Sequence, residues 1–222
     1  MTISRRPAAV IYDLDGVLLD TEPFYTQVTQ EIVGRYGKIF DWSIKSQMIG
    51  RPSLESARTL VTALELPIAP EEYLRERAVR LEALFRESPP MRGAEHFTRA
   101  IAADGLPQAV ATSSERRLFD LKTLRHQRWF AIFRAVVTGD DPRVHSGKPA
   151  PDIFLRAAED LGVVPASCLV FEDAPAGVAA AKSAGMQVVA LPDRGMDLSR
   201  YDDADLVVET FDDVQFTDLR LS

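Results

Sequence analysis

Short apolar runs separated by helix-like stretches constrain this chain more than any other feature. The runs fall at 8–12, 108–111, 135–137, 168–171, 188–191 and 206–208. Their apolarity is continuous rather than alternating, so each reads as a strand buried on both faces, as in a parallel sheet. Between two of them, Ile153, Phe154, Ala157, Ala158 and Leu161 form one apolar stripe, with Asp152 in the first turn and Gly162 at the end. A second helix is expected over 178–184, closed by Gly185. Strands alternating with helices predict an α/β fold, a Rossmann-like open parallel sheet whose ligands bind at the carboxyl ends of the strands.

The stretch 21–90 has a different period. Tyr25, Val28, Ile32 and Tyr36 share one helical face. Leu54, Ala57, Leu60, Val61 and Leu64 share a second, and Leu74, Ala78, Leu81 and Phe85 a third. No strand pattern intervenes. The expected organisation is therefore an α/β core domain built from 1–20 and 91–222, with an inserted α-helical cap over 21–90 that ends near Ser88-Pro89-Pro90.

Composition removes several classes of function. The formal charge is −7 and no dense basic block occurs, so nucleic acid is not an expected partner. No stretch approaches the roughly 18 apolar residues that span a bilayer, and no membrane partner is expected. Two arginines near the N-terminus are not followed by a long apolar run, so no signal peptide is expected. The single cysteine, Cys168, excludes an intrachain disulfide and fits a cytoplasmic protein. Nothing specifies an interface, and a monomer or weak oligomer is expected.

Four strand or loop ends carry the residues suited to chemistry. The first strand ends in Asp13-Leu14-Asp15-Gly16. Two carboxylates one residue apart can approach one cation; one can attack phosphorus while the other moves the leaving-group proton, or both can simply form an acidic turn. The next strand ends in Thr112-Ser113-Ser114 before a helix-like segment over 115–125. Hydroxyls and amides there can cradle a phosphate, or merely cap the helix. Lys148, between Gly147 and Pro149, can supply a fixed positive charge or be a solvated loop residue. Glu172-Asp173, after a buried strand, can complete a magnesium shell or favour the start of the next helix. Each signal is ambiguous by itself. Together, in this order and at one sheet edge, they form a catalytic constellation.

In those four segments the sequence resembles the haloacid dehalogenase superfamily, and the likeness covers nearly the whole chain. The helical insert after the first motif resembles the cap of subfamily I. The resemblance implies Asp13 as nucleophile and Asp15 as general acid/base. It also implies that Thr112 and Ser113 hold the transferring phosphate, with Ser114 beside them, and that Lys148 neutralises it. Mg²⁺ would be held by Asp13, by Asp15 through its backbone carbonyl, and by Asp173, with Glu172 assisting. Asp15 distinguishes the chain from true haloacid dehalogenases, which lack that second aspartate. The implied activity is hydrolysis of a small phosphorylated metabolite through an aspartyl-phosphate.

Within the subfamily the sequence is most similar to the pseudouridine 5′-phosphatases, through Asp20-Thr21-Glu22, Arg35-Tyr36-Gly37-Lys38 and Gly139-Asp140-Asp141-Pro142 among other segments. Sugar- and polyol-phosphate phosphatases share the core pattern. A β-phosphoglucomutase is the enzymatic alternative, although such mutases carry a histidine where this chain has Tyr25. A non-catalytic binding protein on the same scaffold is the other. Arg51 and Glu22 are candidates for substrate contact from the cap, against plain roles as a surface arginine and a helix start. Cys168, Trp129 and Phe130 are expected in the core, His96 and His126 lack partners at metal-ligand spacing, and His145, in the loop before Lys148, is a solvated loop histidine or one that approaches the site.

Overall fold

The computed structural model describes residues 3–48, 53–217 and 219. The chain divides into two compact units, one made of Met1–Asp20 with Ser88–Ser222 and the other of Thr21–Glu87. The second is helical. It contains α1 (Glu22–Gly34), α2 (Trp42–Met48), α3 (Ser53–Ala63) and α4 (Pro70–Phe85). The three apolar stripes correspond to α1, α3 and α4. Helix α2 has no counterpart among the sequence expectations: it is seven residues long and buries Ile44 alone, too little to show a period. Inside the unit, Thr29 and Tyr73 join α1 to α4 through a buried hydroxyl pair 2.8 Å apart.

The first unit is a parallel sheet of β1 (Ala9–Tyr12), β2 (Gln108–Ala111), β3 (Ala135–Val137), β4 (Cys168–Glu172), β5 (Gln187–Ala190) and β6 (Leu206–Val207). The helices between them are α5 (Ala94–Ala103), α6 (Arg116–Lys122), α7 (Gln127–Phe130), α8 (Asp152–Leu161) and α9 (Pro175–Ser183). The strand order is β3-β2-β1-β4-β5-β6, and every pairing is parallel. The expected α/β class and open parallel sheet are thus borne out. Strands β1, β2, β4 and β5 are buried along their whole length, which is why their sequences show no polar alternation.

Successive side chains of β1 enter different cores. Val10 and Tyr12 pack with Phe97, Phe119, Trp129 and Phe171 on one face. Ala9 and Ile11 pack with Phe154, Ala157 and Val178 on the other. Buried polar atoms in the aromatic core are satisfied: Tyr12 Oη donates to Gln108 Oε1, Gln108 Nε2 to the Thr98 carbonyl, and Trp129 Nε1 to Thr98 Oγ1, at 2.8–3.0 Å. Trp129, Phe130 and Cys168 are all buried. Burial pushes the Cys168 thiol up to about 11, so it is an inert core residue at neutral pH.

The chain builds β1, β2 and β3 outward on one side, then crosses to place β4 on the other side of β1. The sheet's topological switch point therefore lies between β1 and β4, where open α/β sheets bind ligands beyond the strand ends. Asp13 and the pair Glu172-Asp173 lie at those two ends. Among the described residues no helix is long and apolar enough to cross a membrane.

Candidate active site

Asp13 directly follows β1, and its amide donates to the Phe171 carbonyl of β4 at 3.0 Å, so its backbone is tied to the neighbouring strand. The residue is 7% exposed. Lys148 reaches it from the loop before α8. Its Nζ donates to Asp13 Oδ1 at 2.7 Å, to Glu172 Oε1 at 2.6 Å and to the Ala111 carbonyl at 3.2 Å. One buried ammonium thus bridges the ends of β1, β2 and β4. The other oxygen of Glu172 accepts from the Ala174 amide at 2.9 Å. Burial pushes the Asp13 carboxyl up to about 7; Lys148 pulls it down, and the carboxylates of Glu172 and Asp15 push it further up. Burial opposes the Lys148 charge, but Asp13 and Glu172 beside it raise its pKa above the ordinary lysine value.

Asp13, Glu172 and Asp173 each offer a carboxylate oxygen, all within 4.8 Å of one another. This donor set fits a hard divalent cation. The loop supporting it is tightly made. Gly16 has φ +75°, and a Cβ there would sit 2.4 Å from Asp173 Oδ2, so the turn after β1 and the acidic pair after β4 can come together only with glycine at this position. Tyr201 Oη donates to the Asp173 carbonyl at 2.6 Å and anchors the acidic loop from below.

A second cluster adjoins the first. The Asp15 carboxylate accepts from Lys122 Nζ at 2.7 Å on both oxygens and from Ser114 Oγ at 2.9 Å. The Asp15 side chain is so engaged, and it is not one of the three carboxylates that lie within 4.8 Å of one another. Thr112 is buried at the end of β2; its amide donates to the Val137 carbonyl at 3.0 Å, and its Oγ1 accepts from the Ser114 amide at 3.1 Å. The loop 112–114 is thus pinned before α6 begins at Arg116. Ser113 is exposed on it.

The family model of haloacid dehalogenase-like hydrolases matches residues 7–185. The chain belongs to that family. It is 46% identical over 209 residues to (DL)-glycerol-3-phosphatase 2 of Arabidopsis thaliana, covering 92% of this chain and 87% of that protein. It is 45% identical over 194 residues to the Drosophila melanogaster protein named "Probable pseudouridine-5′-phosphatase", covering 86% and 84% of the two. Among solved structures it is similar to a haloacid dehalogenase family hydrolase from Deinococcus radiodurans with bound phosphate and sodium, at TM-score 0.78 and 27% identity, covering 96% of this chain and 95% of that one. The family expected from the motifs is borne out.

In this haloacid dehalogenase-like hydrolase, Asp13, Lys148, Glu172 and Asp173 form one group, and Asp15 and Ser114 a second joined to the first through the 13–15 segment. Glu22 is in the first turn of α1, where it pairs with Lys45 at 3.1 Å inside the helical unit. Arg51 lies outside the described residues. Lys122 is absent from the sequence expectations. Its signal was its place three residues after Phe119, on the buried face of α6, where a lysine needs a partner. Tyr201 also went unnoticed, since nothing local links it to Asp173.

Gly177, in the first turn of α9, sets the position of Glu172. A Cβ at Gly177 would lie 1.7 Å from Glu172 Oε1, so Gly177→Ala must move the carboxylate that holds Lys148. The expected result is a loss of about 1–3 kcal/mol in stability, the scale of overpacking, with reduced activity. Thermal melting and turnover of the variant check it; wild-type values for both would show that Glu172 need not sit there.

Proposed function

We propose that this hydrolase is a Mg²⁺-dependent phosphomonoester phosphatase that turns over a small phosphorylated metabolite through an aspartyl-phosphate on Asp13. The observation that carries the reading is the buried Asp13 carboxylate at the switch point with Lys148 Nζ 2.7 Å from its Oδ1. Asp13 attacks phosphorus as the bond to the substrate oxygen breaks, and Asp15 places a proton on that oxygen. Water then attacks the aspartyl-phosphate, Asp15 takes its proton, and Asp13 leaves as a carboxylate. Thr112 and Ser113 hold the phosphoryl oxygens, and Lys148 stabilises the charge spread over them. Asp13, Glu172 and Asp173 would hold the metal, whose charge, when bound, reduces repulsion between carboxylate and phosphate.

The substrate class is supported by the relatives' names: glycerol 3-phosphate, pseudouridine 5′-phosphate or a similar sugar or polyol phosphate. The phosphate bound in the Deinococcus structure supports the same chemistry. We read the helical unit as the cap, and the single buried cysteine as suited to a reducing cytoplasm.

The test is phosphate release across a panel of pseudouridine 5′-phosphate, nucleotides, glycerol phosphates and hexose phosphates. Release is expected to fall by about 10²-fold or more in EDTA, a loss on the scale of removing one electrostatic stabiliser, and to return with added Mg²⁺. No release from any compound would sink the phosphatase reading, and transfer within a hexose phosphate without release would replace it with a mutase.

A further inference from the structure

Lys122 occupies a position that a lysine rarely takes. Its side chain is 0% exposed. Its Nζ lies 2.7 Å from each oxygen of Asp15 and 2.8 Å from Ser114 Oγ, which itself donates to Asp15 Oδ2. The two partners are fixed from separate elements. Asp15 sits in a turn closed by Gly16 N–H to the Leu19 carbonyl, and by Leu18 and Leu19 N–H to the Leu14 carbonyl, all at 2.9 Å. Lys122 is carried by α6, which is anchored by buried Phe119 and by the Thr123 hydroxyl donating to the Phe119 carbonyl. Ser114 belongs to the loop that ties β2 to α6. The carboxylate of Asp15 is thus held on both oxygens by two groups to which the reaction proposed above gives no step.

We propose that Lys122, with Ser114, is a positioning residue for the hydrolytic half of the reaction. Resting on the aspartyl-phosphate reading, it holds the Asp15 carboxylate aimed at the attacking water. A carboxylate with a cation across both oxygens is oriented as an acceptor, so the clamp serves proton abstraction rather than proton delivery. In that step the water oxygen bonds to phosphorus, the bond from phosphorus to Asp13 breaks, Asp13 departs as a carboxylate, and the water proton passes to Asp15. With an aryl phosphate, whose leaving group departs without a proton from Asp15, loosening the clamp leaves the first half of the reaction largely intact and slows the second. A residue with only a structural role would slow both halves equally.

The experiment is a stopped-flow trace of 4-nitrophenolate release from 4-nitrophenyl phosphate with Mg²⁺, on wild type, Lys122→Met, Ser114→Ala and Asp13→Asn. Lys122→Met is expected to give a burst approaching one equivalent of nitrophenolate per enzyme, followed by turnover lowered by about 10²-fold, the low end for a general base. Ser114→Ala is expected to give the same split with a smaller loss, and it carries the test alone if Lys122→Met does not fold. Burst and turnover slowed by one factor, or turnover unchanged in the variants tested, would overturn the proposal. A burst that persists in Asp13→Asn would instead overturn the aspartyl-phosphate reading on which it rests, so the two failures are told apart in one set of traces.

Discussion

Asp13→Asn is expected to abolish phosphate release, by 10⁴-fold or more on the order of other nucleophile removals, while leaving the folded protein at least as stable in metal-free buffer. The two effects share one cause. Burial and the neighbouring carboxylates raise the Asp13 pKa from its ordinary value of 3.8 to about 7. A raised folded-state pKa contributes stability that is fully present below the unfolded value and lost as pH rises through the folded one, so the ionised carboxylate costs the fold something above pH 7. Asparagine keeps the shape and an oxygen that can accept from Lys148, but removes the charge. Metal-free wild type should therefore lose stability between about pH 4 and 7 relative to the variant. Added Mg²⁺ should raise the melting temperature of wild type more than that of Asp13→Asn. Thermal melts across pH, with and without Mg²⁺, and phosphate release on the same samples check both parts. Residual turnover within tenfold of wild type would remove Asp13 from the nucleophile's role.

The parts of this arrangement differ in how far they could be read from the chain. The strands were legible because β1, β2, β4 and β5 are buried on both faces, which leaves an unbroken apolar run in the sequence. The motif residues at their ends were legible because the parallel order brings every strand's carboxyl end to one edge. Helix α2 was not, because it buries so little. The position of Glu172 was only half legible. Adjacent acids after a strand suggest a metal shell, yet both oxygens of Glu172 already accept, from Lys148 and from the Ala174 amide, so its first duty is to seat the lysine. Lys122 and Tyr201 were hidden for a common reason. Each acts on a loop far away in sequence, by 107 and 28 residues, and charge or hydroxyl chemistry at such a distance has no period to betray it. Contacts inside the first unit show the same effect: Pro90 pairs with Leu19 and the Asp20 amide donates to the Pro89 carbonyl, contacts that no local pattern announces.

Lys148→Met should be the most damaging single change to both fold and activity. Methionine matches the length of the stem but leaves Asp13 and Glu172, each within 2.7 Å of the lost ammonium, as buried carboxylates without their cation. Removing one partner of a buried ion pair costs about 3–5 kcal/mol, because the remaining charge has neither water nor counterion. For a chain of this size that corresponds to roughly a 10 °C fall in melting temperature. Mg²⁺ should recover more of that loss in the variant than it adds to wild type, since the acidic group gains from a cation what it lost with the lysine. Activity is not expected to recover with stability. The ammonium is tied to three strand ends at once, so in the mechanism proposed above it would hold a charge beside the phosphoryl group at no cost of reorganisation, and losing such a group is worth about 10²–10³ in rate. Arginine is no substitute, because its planar fork is too large for a slot that receives a single Nζ between two carboxylates and a carbonyl. A variant that melts like wild type in EDTA would mean that Asp13 and Glu172 do not depend on Lys148. If full turnover persisted at saturating Mg²⁺, the stabilising charge in the transition state would have to come from elsewhere in the site.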